Sequence, residues 1–311
     1  MRAFRSLAGV VSVLALLASG CSEAADPASD APASRVPSFP VTMTDDEGVE
    51  VTLPAEPQRI VTFAPSNTEI VYALGLGDRL VGVSGPYDDF PAEAKKVEEI
   101  GGAGDFGVDP NVEKVVSLEP DLMLAISGGE QWKQKLRDLG VPVFTINATD
   151  FADLLGDIRT VGELTGTGEE AARLTATMQT DADAIAAEVG NTSVSCFYEV
   201  YFPHLTTVGP NTFIFDLLER AGCDPVSASA KSDYPQWSVD ELVADGPQVY
   251  LVSSESGVSE AQVTKRPGFG AIDAVAEGRV VLMDSDLVSR PGPRVVDGLQ
   301  DLSNALRESA P

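Results

Sequence analysis

Two Rossmann-like α/β lobes, each built on a central, mainly parallel sheet and joined by a long backbone α-helix, are expected from this 311-residue chain on three grounds. Short apolar runs alternate with segments of helical periodicity in both halves. One stretch of the first half recurs in the second. The middle carries two helical stripes in succession with no strand between them.

In chain order, Arg2 and Arg5 precede an apolar run from Leu7 to Ala18, then Leu17-Ala-Ser-Gly-Cys21. A basic start, a short apolar stretch and small residues before a cut site describe a secretion signal over residues 1–20 rather than a membrane span. Its ending resembles the lipobox of bacterial lipoproteins, which implies that Cys21 is acylated and becomes the first mature residue; an ordinary signal with a chance cysteine is the alternative. Residues 21–40 are Ala, Ser, Pro and Asp with almost nothing to bury, so they read as a disordered tether.

The first lobe is assigned to residues 41–149. Ile60–Phe63, Leu80–Val83, Leu122–Ile126 and Val141–Ile146 read as strands, with helices between them such as the one that puts Trp132, Leu136 and Leu139 on one face. Apolar strands interleaved with helices make a parallel sheet covered on both sides. The interlobe segment is residues 150–190. Phe151, Leu154, Leu155, Ile158 and Val161 form one stripe, and Ala171, Leu174, Met178, Ile185 and Val189 a second. A Gly166-Thr-Gly168 break separates them, and Thr167 or Gly168 could begin the second helix. Some forty helical residues here suggest a rigid strut that limits closure. The second lobe, residues 191–311, repeats the strand scheme with Ser195–Val200, Val249–Val252 and Val280–Met283.

The recurrence is specific in place. Val112-Glu-Lys-Val-Val-Ser-Leu-Glu-Pro120 leads into the strand around Leu124, and Val239-Asp-Glu-Leu-Val-Ala-Asp-Gly-Pro247 leads into the strand around Leu251. Asn67-Thr68 opens an apolar helix ending near Gly75; Asn211-Thr212 opens one ending at Gly222. Two halves built alike suggest a cleft between them.

Charge and composition narrow the function. Against 21 basic residues stand 48 acidic ones, a net charge of −27 that falls to −29 when Arg2 and Arg5 leave with the signal. Such a body repels nucleic acid and anionic headgroups. Its one histidine, His204, would have to serve any Ser–His–acid enzyme, yet no Gly-x-Ser-x-Gly elbow is present. There is no phosphate-binding Gly-x4-Gly-Lys and no Cys-x-x-Cys. A receptor for bare zinc or manganese would want several imidazoles. The chain is therefore read as a binder and not an enzyme, with an extracytoplasmic enzyme or adhesion module as the competing class. With Cys21 assigned to lipid, Cys196 and Cys223 are an even pair outside the cytoplasm, open either to a disulfide or to two buried thiols.

The ordered set Arg59-Ile-Val-Thr-Phe-Ala-Pro-Ser-Asn-Thr-Glu69, Leu74-Gly-Leu-Gly-Asp-Arg-Leu-Val-Gly-Val83, Asn111-Val-Glu-Lys114, Arg266-Pro-Gly-Phe269 and Ser289-Arg-Pro-Gly-Pro-Arg294 resembles the iron-complex and vitamin B12 substrate-binding proteins of ABC importers. That resemblance covers Val41 to the C-terminus. It implies two α/β lobes on a helical backbone and a lipid-anchored, extracytoplasmic receptor acting as a monomer. Its partners would be permease subunits with their cytoplasmic ATPase. It implies docking through one carboxylate per lobe, Glu113 and Glu219 by motif. It implies no resident cofactor and no metal site, a corrinoid or ferric chelate being cargo.

For the cargo, Tyr87-Asp-Asp-Phe-Pro91 resembles the Tyr-x-Asp-Tyr-Pro loop of cobalamin-binding members. Phe106, Tyr201, Phe202, Tyr234 and Trp237 fall on loops where cleft residues belong, each open to a core-packing or a contact role. Two departures weaken the cobalamin pattern: Gly102-Ala-Gly-Asp-Phe106 replaces an expected tryptophan, and Ile126-Ser127 an aromatic. Arg290 and Arg294 could instead grip a ferric siderophore's carboxylates or hydroxamates, and Tyr87 could ligate haem iron. Cobalamin is the first choice, ferric siderophore the second and haem the third.

Overall fold

The computed structural model describes residues 38–101, 109–190 and 193–309. An antiparallel hairpin comes first, β1 (Val41–Thr44) and β2 (Glu50–Leu53), with Val41 opposite Leu53. Its turn is held by Asp45, whose Oδ1 accepts from the amides of Glu47 and Val49. The first sheet follows: β3 (Ile60–Thr62), then α1 (Pro65–Ala73), β4 (Leu80–Gly82), α2 (Val112–Ser117), β5 (Leu122–Ala125), α3 (Glu130–Asp138) and β6 (Val143–Thr145). Two interlobe helices come next, α4 (Phe151–Thr165) and α5 (Gly168–Val189). The second sheet is β7 (Val194–Glu199), α6 (Phe213–Arg220), β8 (Cys223–Pro225), α7 (Val239–Asp245), β9 (Val249–Ser253), the short helices α8 (Glu260–Val263) and α9 (Asp273–Ala276), and β10 (Val280–Met283). The short α10 (Ser285–Val288) and the C-terminal α11 (Val295–Ser309) complete the chain.

The two sheets share one topology. Strand order is β4-β3-β5-β6 in the first and β8-β7-β9-β10 in the second, all parallel. In each, the first strand in sequence lies between the second and third. The recurring sequence segments take equivalent places: α2–β5 and α7–β9 lead into the third strand of their sheets, and α1 and α6 follow the first. Period-two alternation divides each sheet between two faces. Ile60, Leu122, Leu124 and Phe144 join Cys196, Tyr198, Val249 and Leu251 in one apolar core that runs through α4, α5 and α11. Val61, Met123, Ala125 and Val143 face a separate cluster under α2 and α3, and Phe197, Tyr250, Val252 and Val280 face another under α7–α9. The halves therefore share packed core, which resists their separation.

The forty-residue strut is corrected in form. α4 ends at Gly166, whose φ of +79° a side-chain-bearing residue rarely adopts, and the chain then folds back. α5 runs antiparallel against α4: Arg159 Nε donates to Thr175 Oγ1 at 3.1 Å. A side chain at Gly162 would collide with Ala171. A Gly at each of these positions permits the sharp reversal and the close approach, which helical periodicity alone cannot reveal. Cys196 and Cys223, on the adjacent strands β7 and β8, are joined by a disulfide with Cα atoms 5.8 Å apart.

Candidate functional site

In parallel α/β sheets the loops leaving the carboxyl ends of strands face the ligand. Eight large apolar side chains are exposed among the described residues, and five of them stand on loops downstream of those ends: Tyr87, Phe90, Ile126, Tyr201 and Tyr234. Large apolar side chains left in water on such loops are candidate contact residues. A small pocket of about 40 Å³ shows that both halves meet here. Ser66 and Asn67 of α1, Ile126 after β5, Asn147 after β6, Asp157 of α4 and Pro291 of the second half line it. This seam between the halves is the floor of the candidate site.

Buried polar groups set the loops. Asp88 is buried one residue beyond Tyr87 and accepts from Thr68 Oγ1, from Ser84 Oγ at 2.5 Å and from the Gly85 amide at 2.9 Å. Burial pushes its carboxyl above the ordinary range, with those three donors opposing. In the second half, Glu199 ends β7 fully buried and accepts from Arg266 Nη1 at 2.5 Å, Arg266 Nη2 at 2.9 Å and Tyr250 Oη at 2.5 Å. The Arg266 guanidinium carbon lies 3.7 Å from the centroid of the Phe202 ring and 5.1 Å from that of Phe269. Burial and the Glu199 carboxylate both push the Tyr250 phenol up, keeping it a neutral donor. This charge-assisted network fixes the backbone that carries Tyr201.

An ionic cluster joins the halves beside the floor. Arg294, just before α11, donates to Glu69 of α1 through Nε at 2.9 Å and Nη2 at 2.6 Å. Its guanidinium carbon also lies 4.0 Å from the centroid of the Phe90 ring. Arg290 Nη2 is 2.5 Å from Asp286, while its Nη1 lies 3.8 Å from both Glu69 and Asp89. The bidentate bond to Glu69 raises the Arg294 pKa. Burial pushes Glu69 and Asp286 upward, opposed chiefly by the two guanidiniums.

The expected ligand residues thus separate. Tyr87, Tyr201 and Tyr234 are half exposed. Phe202 and Trp237 instead pack against the second half's core, Phe202 under Arg266 and Trp237 with Nε1 donating to Asp245 Oδ2 at 2.8 Å. Arg290, expected to grip cargo, is engaged by carboxylates of both halves. Phe106 and Cys21 lie outside the described residues. Glu113, in the first turn of α2, and Glu219, near the end of α6, are exposed and have no ion-pair partner among the described residues. Glu219 also borders an inter-lobe groove of about 300 Å³ with Thr149, Asp150, Asn211 and Asp216. Sequence reading missed Phe90 and the buried trio Asn67, Asp157 and Glu69. Phe90 stood inside the quoted Tyr87–Pro91 motif, and Asn67 and Glu69 inside Arg59–Glu69. Asp157 gave no signal beyond an acidic residue near an apolar stripe.

The family model described as periplasmic binding protein matches residues 60–287, which hold every strand of both four-stranded sheets. The chain belongs to that family. The Bacillus subtilis protein named uncharacterized ABC transporter substrate-binding lipoprotein YvrC is 36% identical over 302 residues, covering 94% of this chain and 93% of its own. A Halobacterium salinarum protein named cobalamin-binding protein is 35% identical over 294 residues, covering 91% of this chain and 78% of its own. The crystal structure of the Vibrio cholerae vitamin B12 binding protein BtuF matches with a TM-score of 0.71 at 24% identity. That match covers 81% of this chain and 98% of that one, and shows the shared fold. The α/β class with two lobes and the resemblance drawn from Arg59–Arg294 hold for this binding protein.

Proposed function

We propose that this protein captures cobalamin outside the cytoplasm and delivers it to the permease of an ABC importer, without turning it over. The observation that carries the reading is the set of half-exposed tyrosines on loops leaving the two sheets, Tyr87 from one half and Tyr201 and Tyr234 from the other, together with a pocket lined from both halves. Flat apolar walls suit a corrin ring, and a shared core holds them at a fixed separation. A relative named for cobalamin, matched over 91% of this chain, supports the same cargo. Bidentate engagement of Arg294 by Glu69, with Arg290 Nη2 on Asp286, weighs against an anion-gripping role for Arg294, and so against a carboxylate-rich siderophore or haem.

Delivery needs orientation at the membrane. Exposed Glu113 and Glu219, each without an ion-pair partner among the described residues, suit pairing with arginines of the permease, which steers encounter more than it adds affinity. Acylation at Cys21, with residues 22–40 as tether, would keep the receptor at the membrane; among the described residues no helix is long and apolar enough to cross one. The direct test is equilibrium titration of the purified protein with cyanocobalamin, haemin and a ferric trihydroxamate. Micromolar or tighter binding of cyanocobalamin alone is the expected result; binding of haemin or the hydroxamate with no response to cyanocobalamin would overturn the assignment.

A further inference from the structure

The cleft floor holds a polar group that the fold itself does not satisfy. Asn67 is 1% exposed, yet its Nδ2 has no hydrogen-bond partner among the described residues. A buried amide N–H left unpaired is costly and uncommon, so its position beside a pocket points to a ligand group. No side chain caps the start of α1, where Asn67 sits, so the helix's positive end adds to the demand for an acceptor oxygen. Across the pocket stands Asp157, 8% exposed on α4, with Asn147 beside it. Asn147 Oδ1 already accepts from Ser127 Oγ at 2.7 Å.

The charge around the pocket selects the kind of acceptor. Asp157 faces Asp46 of the hairpin turn and Asp153 of its own helix, and accepts from the Ala148 amide. Asp46 Oδ2 in turn accepts from the Asn147 amide at 2.6 Å. Neighbouring Arg290 and Arg294 are surrounded by Glu69, Asp286 and Asp89, which balance their charge, although Arg290 Nη1 itself has no hydrogen-bond partner among the described residues. Burial and Asp46 push the Asp157 carboxyl up to about 8, so it enters neutral solution protonated, sharing its hydrogen with Asp46. A carboxylate guest would face this acidic side; an ammonium guest would leave Asn67 Nδ2 unpaired. A volume of about 40 Å³ exceeds what one water needs, and accepts a group of three heavy atoms.

We propose that the floor pocket is a subsite for an uncharged primary amide of the cargo, its carbonyl oxygen accepting from Asn67 Nδ2 and its NH2 group donating toward Asp157. The assignment rests on the corrinoid reading, since a corrin carries such amides around its rim, and it adds that recognition reads amide against acid at this point. Asp157 and Asn67, on α4 and α1, are then specificity residues.

The test titrates the wild-type protein, Asn67→Ala and Asp157→Asn at pH 7.5. The ligands are cyanocobalamin and its derivatives in which one peripheral amide is hydrolysed to the acid. Wild-type protein should bind one of those acids about tenfold more weakly than the parent, because its carboxylate loses the NH2 donor and meets the single negative charge that the Asp157–Asp46 pair shares. Asn67→Ala should lose about five- to tenfold in affinity for cyanocobalamin, the loss of one buried hydrogen bond. Asp157→Asn, neutral like the protonated acid it replaces, should keep that penalty within about twofold of the wild-type value. Equal binding of every acid derivative and the parent by the wild-type protein would overturn the subsite, and that comparison needs no variant to fold. So would Asn67→Ala within twofold of wild type. A folded wild-type protein that binds no corrinoid would instead overturn the cargo reading itself.

Discussion

Replacing Asp157 by Asn removes one titration from the core and leaves its shape. In the folded chain that carboxyl sits at about 8 against an ordinary 3.8, because it is buried and faces Asp46. Below pH 4 it is protonated folded or unfolded, and its contribution to stability is whole. As pH rises from 4 toward 8 the unfolded chain releases the proton while the folded chain keeps it, so stability falls across that window. Each unit of difference is worth about 1.4 kcal/mol, which sets an upper bound of about 4 kcal/mol lost at pH 7. Water entry and movement of the Asp46 turn should reduce this to about 2–3 kcal/mol. Asparagine has no proton to lose, keeps an oxygen for the Ala148 amide and presents an NH2 group to Asp46. Asp157→Asn should therefore be within about 1 kcal/mol of wild type at pH 5 and about 2–3 kcal/mol more stable at pH 8, a rise in Tm of several degrees for a body of this size. Urea unfolding of both proteins at the two pH values isolates the difference from all other acids. A variant whose stability differs from wild type by the same amount at pH 5 and pH 8 would refute the assigned titration.

Other expectations follow from the same geometry. Tyr87 is 53% exposed and Tyr234 55%; covering half a tyrosine, about 100 Å², is worth about 2.5 kcal/mol at full coverage. Alanine at either should weaken cyanocobalamin about five- to thirtyfold by calorimetric titration while melting is unchanged. Glu69→Ala would strand Arg294 and loosen Arg290, costing about 2–3 kcal/mol in urea unfolding. The disulfide closes a separation of 27 residues, so Cys223→Ala should lose about 3 kcal/mol, with reductant lowering the wild-type Tm to match. Alanine at both Glu113 and Glu219 should abolish cellular uptake with affinity for cargo unchanged; a large loss of affinity would show that they do not serve docking.

Much of the architecture was legible because it rests on periodicity and repetition. Seven strands were placed by short apolar runs, and the paired segments Val112–Ser127 and Val239–Ser254 took matching positions because each encodes the same helix–turn–strand unit. β1, β2 and β8 escaped notice: Val41–Thr44 and Glu50–Leu53 are half polar, and Cys223–Pro225 contains too few residues to show a period. The reversal at Gly166 was hidden for another reason, since two amphipathic stripes look alike whether their helices continue or fold back. In the site, exposed aromatics could be listed from loops, but which rings are used for packing depends on a distant partner. Phe202 is covered by Arg266 and Trp237 is tied to Asp245. Arg290 was legible as a cation, not as one engaged across the cleft. Asn67 and Asp157 acquire meaning only when α1 and α4 are brought together.

A crystal structure of the protein with cyanocobalamin measures most directly whether cargo is held between the halves. The corrin should lie in the cleft against Tyr87 on one side and Tyr201 and Tyr234 on the other. A corrin bound to one half alone, or away from those rings, would contradict capture between two walls.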